Sequence, residues 1–219
     1  MTNGEVIAGA AAAETNLRLP GLQALAEQVL VEKPEYVIFG DAHITAEHQN
    51  ITAAFLETLA ADPRYRHGGA GLYVEALYDT ARPAEGDFSG GVVRYDQPNF
   101  GGRTKYLAAM QTAIRLGIAV HGIDLQKDVD QESLERMLHW KGAIESGTEQ
   151  TKVLLVGAGH LWNDAGKPAD LMYLLGKTQL VASNERAYNP PGFSERMPLE
   201  VARPDITDRQ YVVAKYQLP

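Results

Sequence analysis

Apolar residues along this chain come in two kinds of run, and the two kinds alternate. Leu22, Leu25, Ala26 and Leu30 recur at helical spacing, and Lys33-Pro34 closes that pattern because proline cannot continue a helix. Tyr36-Val37-Ile38-Phe39 follows as a continuous apolar run too short for a helix. Such a run predicts a strand buried on both faces, stopping at Gly40. From Ala46 to Leu59 the residues Ile51, Ala54, Phe55, Thr58 and Leu59 return at intervals of three and four. They predict an amphipathic helix, capped by Thr45 and finished before Asp62-Pro63.

The same grammar repeats downstream. Gly71 to Val74 predicts a second strand that reaches Glu75, and Lys105 to Leu116 a helix stopped by Gly117. Ile118 to Ile123, Thr151 to Val156, Thr178 to Ala182 and Gln210 to Tyr216 are predicted strands, with helices over Glu132 to Ile144 and Ala169 to Leu175. Between Asp79 and Gly102 the pattern lapses into a stretch rich in glycine and proline. It exceeds the roughly 12 to 15 residues of an ordinary structureless connection, which points to a lid. Residues 1–17 are small and Ala-rich without a sustained apolar stripe, a loose lead-in, and 18–219 is expected to be a single domain. Short buried strands alternating with helices imply an α/β fold, a mostly parallel central sheet flanked by helices. Ligands of such sheets bind beyond the carboxyl ends of the strands, so the active site is expected there.

Composition narrows the chemistry. Zero cysteines excludes disulfides, thiolate metal sites and a cysteine nucleophile. A net charge of −8 argues against broad binding to nucleic acid. No run reaches the roughly 18 apolar residues of a membrane span, and Val6 to Ala13 lacks the basic flank of a classical signal peptide. The expected location is cytoplasmic, or that of an effector delivered elsewhere.

The polar residues that close the predicted strands are Asp41 and His43 after the first, Glu75 after the second, Asp124 after the third and His160 after the fourth. Carboxylates and imidazoles from distant segments would then share one rim. Two close carboxylates cannot both ionise cheaply, and histidine exchanges protons near neutral pH, so acid–base chemistry is the expectation. His48, one turn into the second helix, is a further candidate, and Tyr78, Asp79, Arg94, Tyr95, Arg103 and Lys105 are candidates for the lid or for charge stabilisation. His67, His121 and His139 read as loop, strand and helix residues without chemistry.

Gly40-Asp41-Ala42-His43, Glu75 and Gly157-Ala158-Gly159-His160 together resemble the signature of the TraB/Tiki, erythromycin-esterase and ChaN-like superfamily: Gly-Glu-x-His, a glutamate ending the next strand, and a later Gly-x-x-His. The likeness runs from about Tyr36 to Val181. Asp41 departs from it, standing where the signature has glutamate and shortening the carboxylate arm by one methylene. The resemblance implies a hydrolase, with peptide bonds as the first substrate class and carboxylic esters the second, from a protein or a small ester bound in the strand-end cleft. In that reading Glu75 and His43 activate water, while His160 serves the leaving group or oxyanion. Two histidines with carboxylates also suit Mn²⁺, Zn²⁺ or Co²⁺, held by His43, Glu75 and His160, although no His-Glu-x-x-His pair demands an ion. The resemblance equally allows a ChaN-like haem- or iron-binding protein, with ten tyrosines supplying axial candidates. A dinucleotide-binding turn at Gly157-Ala158-Gly159 is disfavoured, because Trp162 stands at the third-glycine position and Gln179 to Ser183 offers no carboxylate.

Overall fold

A computed structural model describes residues 20–41, 47–79, 107–125, 134–157, 160, 171–175, 179–184, 199–200 and 211–216. The lead-in and the expected lid beyond Asp79 lie outside them. The helices are α1 (Pro20–Glu32), α2 (Glu47–Ala61), α3 (Leu107–Arg115), α4 (Leu134–Glu145) and α5 (Leu171–Leu175). The strands are β1 (Tyr36–Asp41), β2 (Ala70–Tyr78), β3 (Ala119–Asp124), β4 (Thr151–Gly157), β5 (Gln179–Asn184), β6 (Leu199–Glu200) and β7 (Tyr211–Tyr216).

All seven strands form one sheet in the order β3-β2-β4-β1-β5-β7-β6. The pairs from β3 through β5 are parallel, while β7 runs antiparallel to both β5 and β6. The fold is therefore α/β with a mostly parallel sheet, as the alternation of runs predicts.

The period of two along each strand divides the core. Val37, Phe39, Leu72, Val74, Val153 and Leu155 pack with α1, α2 and α3 on one face. Their neighbours in sequence Tyr36, Ile38, Tyr73, Leu154 and Val156 pack with α4 and α5 on the other. Burial on both faces explains why these strands read as continuous apolar runs and not as alternating ones. The helices that follow β1 and β2 cover the first face, and the helix that follows β4 covers the second. Since β4 lies between β2 and β1, the chain diverges to opposite faces at their carboxyl ends, which is the arrangement that opens a crevice in such sheets.

One irregularity shapes that crevice. Val74 pairs with Gly122 and Tyr78 with Asp124, so four steps on β2 match two on β3. The extra residues form a bulge, and Ala76 and Leu77, adjacent in sequence, both enter the same core. Gly122 permits it: a Cβ there would fall well inside contact distance of the Tyr78 carbonyl.

Candidate functional site

Glu75 follows Tyr73 by two residues, so its side chain lies on the face covered by α4. A carboxylate buried there needs partners, and it has them. Oε2 accepts the Gly157 amide of β4 at 2.6 Å, and Oε1 accepts Nη2 of Arg136 at 3.2 Å. Arg136 sits on the inner face of α4, in helical phase with Trp140 and Ile144, and is 1% exposed. Its Nε and Nη2 also donate to the two oxygens of Asp124, at 2.7 and 3.0 Å. Trp140 Nε1 donates to Asp124 Oδ1 at 3.1 Å, and the guanidinium lies 4.6 Å from the centre of the Trp140 ring. Such a two-pronged carboxylate contact is the strong form of the ion pair.

His160 completes the cluster. Its Nε2 is 3.4 Å from Glu75 Oε1, and its ring meets Trp140 edge-on with centroids 5.0 Å apart. With a side-chain exposure of 14%, against 1% for Arg136 and Asp124, it is the member of the cluster closest to solvent. The cluster thus grades from a buried ion pair to a partly accessible imidazole.

The expected strand-end set is brought together in part. Glu75, Asp124 and His160 converge, because β3, β2 and β4 are neighbours. The backbone of Asp41 is in register with Gly157, which puts the end of β1 beside the strand leading to His160. The side chains of Asp41 and His48 lie outside the described residues, as do His43, Arg94, Tyr95, Arg103, Lys105 and Trp162. Tyr78 ends β2 opposite Asp124. The Asp79 amide donates to the Asp124 carbonyl at 2.9 Å, and its carboxylate lies 3.2 Å from Nε2 of His139 on α4. That contact lacks hydrogen-bond alignment, and His139 Nε2 is buried with no described acceptor or donor. His139 is therefore next to the rim, where the helical pattern alone gave it no chemistry.

The Arg136 guanidinium stands between Glu75 and Asp124 and bonds to both, so the two carboxylates share a cation. The space between Glu75 and Asp124 is filled by a cation already, and no cluster of three or more metal-ligating side chains occurs among the described residues.

A second assembly lies on the same face of the sheet, toward the amino ends of the strands. Glu149, just before β4, accepts the Tyr73 hydroxyl at 2.6 Å and meets His121 Nε2 at 2.7 Å. Tyr73 and His121 pair across β2 and β3 with their rings stacked at 4.5 Å. Burial alone would raise the Glu149 carboxyl, but the Tyr73, backbone and His121 hydrogen bonds together hold it below its ordinary value. Burial, reinforced by Glu149, pushes the Tyr73 phenol upward.

Neither Arg136 nor Trp140 is marked by a motif. The signal that identifies them is an arginine in phase with Met137, Trp140 and Ile144 on the apolar side of a helix, where a cation must find buried anions.

No family model matches the chain, and no curated protein matches it. Its structure is similar to that described as "The structure of the type III effector HopBA1", at a TM-score of 0.49 and 21% identity, over 68% of this chain and 78% of that one. No helix among the described residues is long and apolar enough to cross a membrane.

Proposed function

We propose that the strand-end cluster is the fixed wall of a hydrolytic site, in which His160 exchanges a proton with water or with the leaving group and Glu75 orients the imidazole. The observation that carries this reading is the 3.4 Å approach of Glu75 Oε1 to His160 Nε2 while Oε2 is anchored by the Gly157 amide. A carboxylate held at its other oxygen fixes both the position and the tautomer of a neighbouring imidazole, which is what a proton-transferring histidine needs. Arg136 and Trp140 hold the assembly against the sheet from α4, so their contribution is geometric.

Glu75 has both oxygens engaged, which makes it a positioning group and moves water activation to the histidines. β1 finishes with the backbone of Asp41 in register with Gly157, so that strand end borders the site. Peptide bonds are the first substrate class and carboxylic esters the second, following the Gly157-Ala158-Gly159-His160 element and its resemblance to the TraB/Tiki form.

The test is turnover of a fluorogenic peptide pool and a panel of naphthyl esters. His160→Asn, which removes a partly exposed ring without unpairing Arg136, is expected to lower kcat/KM by about 100-fold or more, the range of a lost general acid–base group. Thermal stability should stay near that of the parent chain. Full turnover by the folded variant contradicts the assignment.

A further inference from the structure

At the amino ends of β2 and β4, on the edge of the sheet opposite Glu75, a cavity of about 570 Å³ opens between the ends of α1 and α2. Its volume falls within the roughly 300 to 1,000 Å³ usual for small-molecule sites. Buried Val29 and Leu59 form its apolar part, together with the partly buried ring of Tyr65. Its charged lining is entirely basic: Lys33, Arg64 and Arg66, with no aspartate or glutamate. In a chain of net charge −8 that concentration of cations is local, not a reflection of composition.

The three cations differ in what they already do. Arg64 is paired with Glu27 and Asp62, and its side-chain and backbone hydrogen bonds lower the Asp62 carboxyl to about 2. Its charge is largely answered by neighbours. Lys33 and Arg66 have no ion pair among the described residues. Lys33 also has a φ of 49°, a left-handed conformation normally left to glycine at a helix end. The structure around it fixes that conformation: the Lys33 amide donates to the Val29 carbonyl at 2.9 Å, and the buried Thr151 hydroxyl donates to the Pro34 carbonyl at 2.9 Å. A glycine would satisfy the turn with less strain but would bring no ammonium to the cavity rim.

We propose that this cavity binds a small organic anion with an apolar or aromatic body, the body against Val29, Leu59 and Tyr65 and the anionic group toward Lys33 and Arg66. Charge complementarity selects the ligand class, since the lining offers unpaired positive charge beside an apolar floor. The site is separate from the rim cluster, and its test does not depend on hydrolysis.

Titration calorimetry of the full chain with naphthyl phosphate and with neutral naphthol reads the two halves of the proposal. The phosphate is expected to bind about tenfold or more tightly than naphthol, and added salt should erode that difference by screening. The Lys33→Gly, Arg66→Gln double variant relieves the backbone strain while removing both unpaired cations. It should retain its melting temperature and lose roughly tenfold in affinity for naphthyl phosphate while its affinity for naphthol is unchanged. A single variant, Arg66→Gln, should show part of the same loss. Equal affinity for the charged and neutral compounds, unchanged phosphate binding by the folded double variant, or no binding of naphthyl phosphate at all would each overturn the proposal.

Discussion

Two histidine–carboxylate assemblies share one face of this sheet and are built on opposite principles. At the carboxyl ends of β2 and β3, Glu75 and Asp124 are bridged by Arg136, a permanent cation 1% exposed. Toward the amino ends of the same strands, Glu149 is held by a neutral phenol and by His121, whose side chain is 38% exposed. The first is fixed by a charge that does not titrate in the physiological range, and the second by a phenol and a partly exposed imidazole. The cluster around Arg136 stands at the carboxyl ends of the parallel strands, where ligands of such sheets bind, and is the one proposed for function.

The largest test of this contrast is the guanidinium itself. Arg136→Met keeps most of the volume but removes the guanidinium that bonds to both Glu75 and Asp124, and is expected to cost about 3 to 5 kcal/mol in urea unfolding. Neutralising the acids as well, with Glu75→Gln and Asp124→Asn, should return part of that loss. A cost below about 1 kcal/mol would mean that the buried pair contributes no more than a surface one.

Gly122→Ala comes next. The added methyl would collide with the Tyr78 carbonyl, so the β2 bulge must move, at about 1 to 3 kcal/mol by the usual cost of overpacking. Because Glu75 lies within the irregular stretch between Val74 and Tyr78, this variant should also depress turnover in a folded protein, whereas a similar stability loss far from the rim should not. The check is kcat/KM measured well below the melting temperature.

Tyr73→Phe removes the hydroxyl that Glu149 accepts, and is expected to cost about 1 to 2 kcal/mol while leaving turnover intact, since this assembly is remote from the rim. The smallest effect is on pH dependence. The Glu149 carboxyl in the folded chain lies below its ordinary value of 4.5, so its stabilisation is fully present above that value. It is lost as the pH falls through the folded value. Urea unfolding of Glu149→Gln should therefore show a shallower decline from about pH 5 to pH 3 than the parent chain. An identical decline would remove Glu149 from the acid-sensitive groups.

The contrast also explains what the sequence made legible. The parallel strands could be read because burial on both faces leaves unbroken apolar runs such as Tyr36 to Phe39, and each run stops at the rim residue. Glu75, Asp124 and His160 were accessible by that rule. The end of β2 was not, because a bulge carries the strand past Glu75 to Tyr78 without any break in apolarity. The antiparallel setting of β7 was equally hidden, since pairing direction leaves no period in the residues, and the two-residue β6 is too short to show one. Arg136 escaped for a different reason: a helix pattern treats charged residues as solvent-facing, and only the three-dimensional meeting of β2, β3 and α4 supplies the anions that let this one be buried. His121 and Glu149 were hidden likewise, since their contact joins the middle of β3 to the loop before β4.

The most direct measurement of the central assignment is a double-mutant cycle on kcat/KM for hydrolysis by the parent chain, Glu75→Gln, His160→Asn and the two combined. If Glu75 acts by orienting His160, the combined variant should be no slower than the slower single variant, because a positioning group has nothing left to position once the imidazole is gone. If the two losses multiply in folded proteins, Glu75 and His160 act independently, and the carboxylate–imidazole unit at the strand ends is not the machinery of this site.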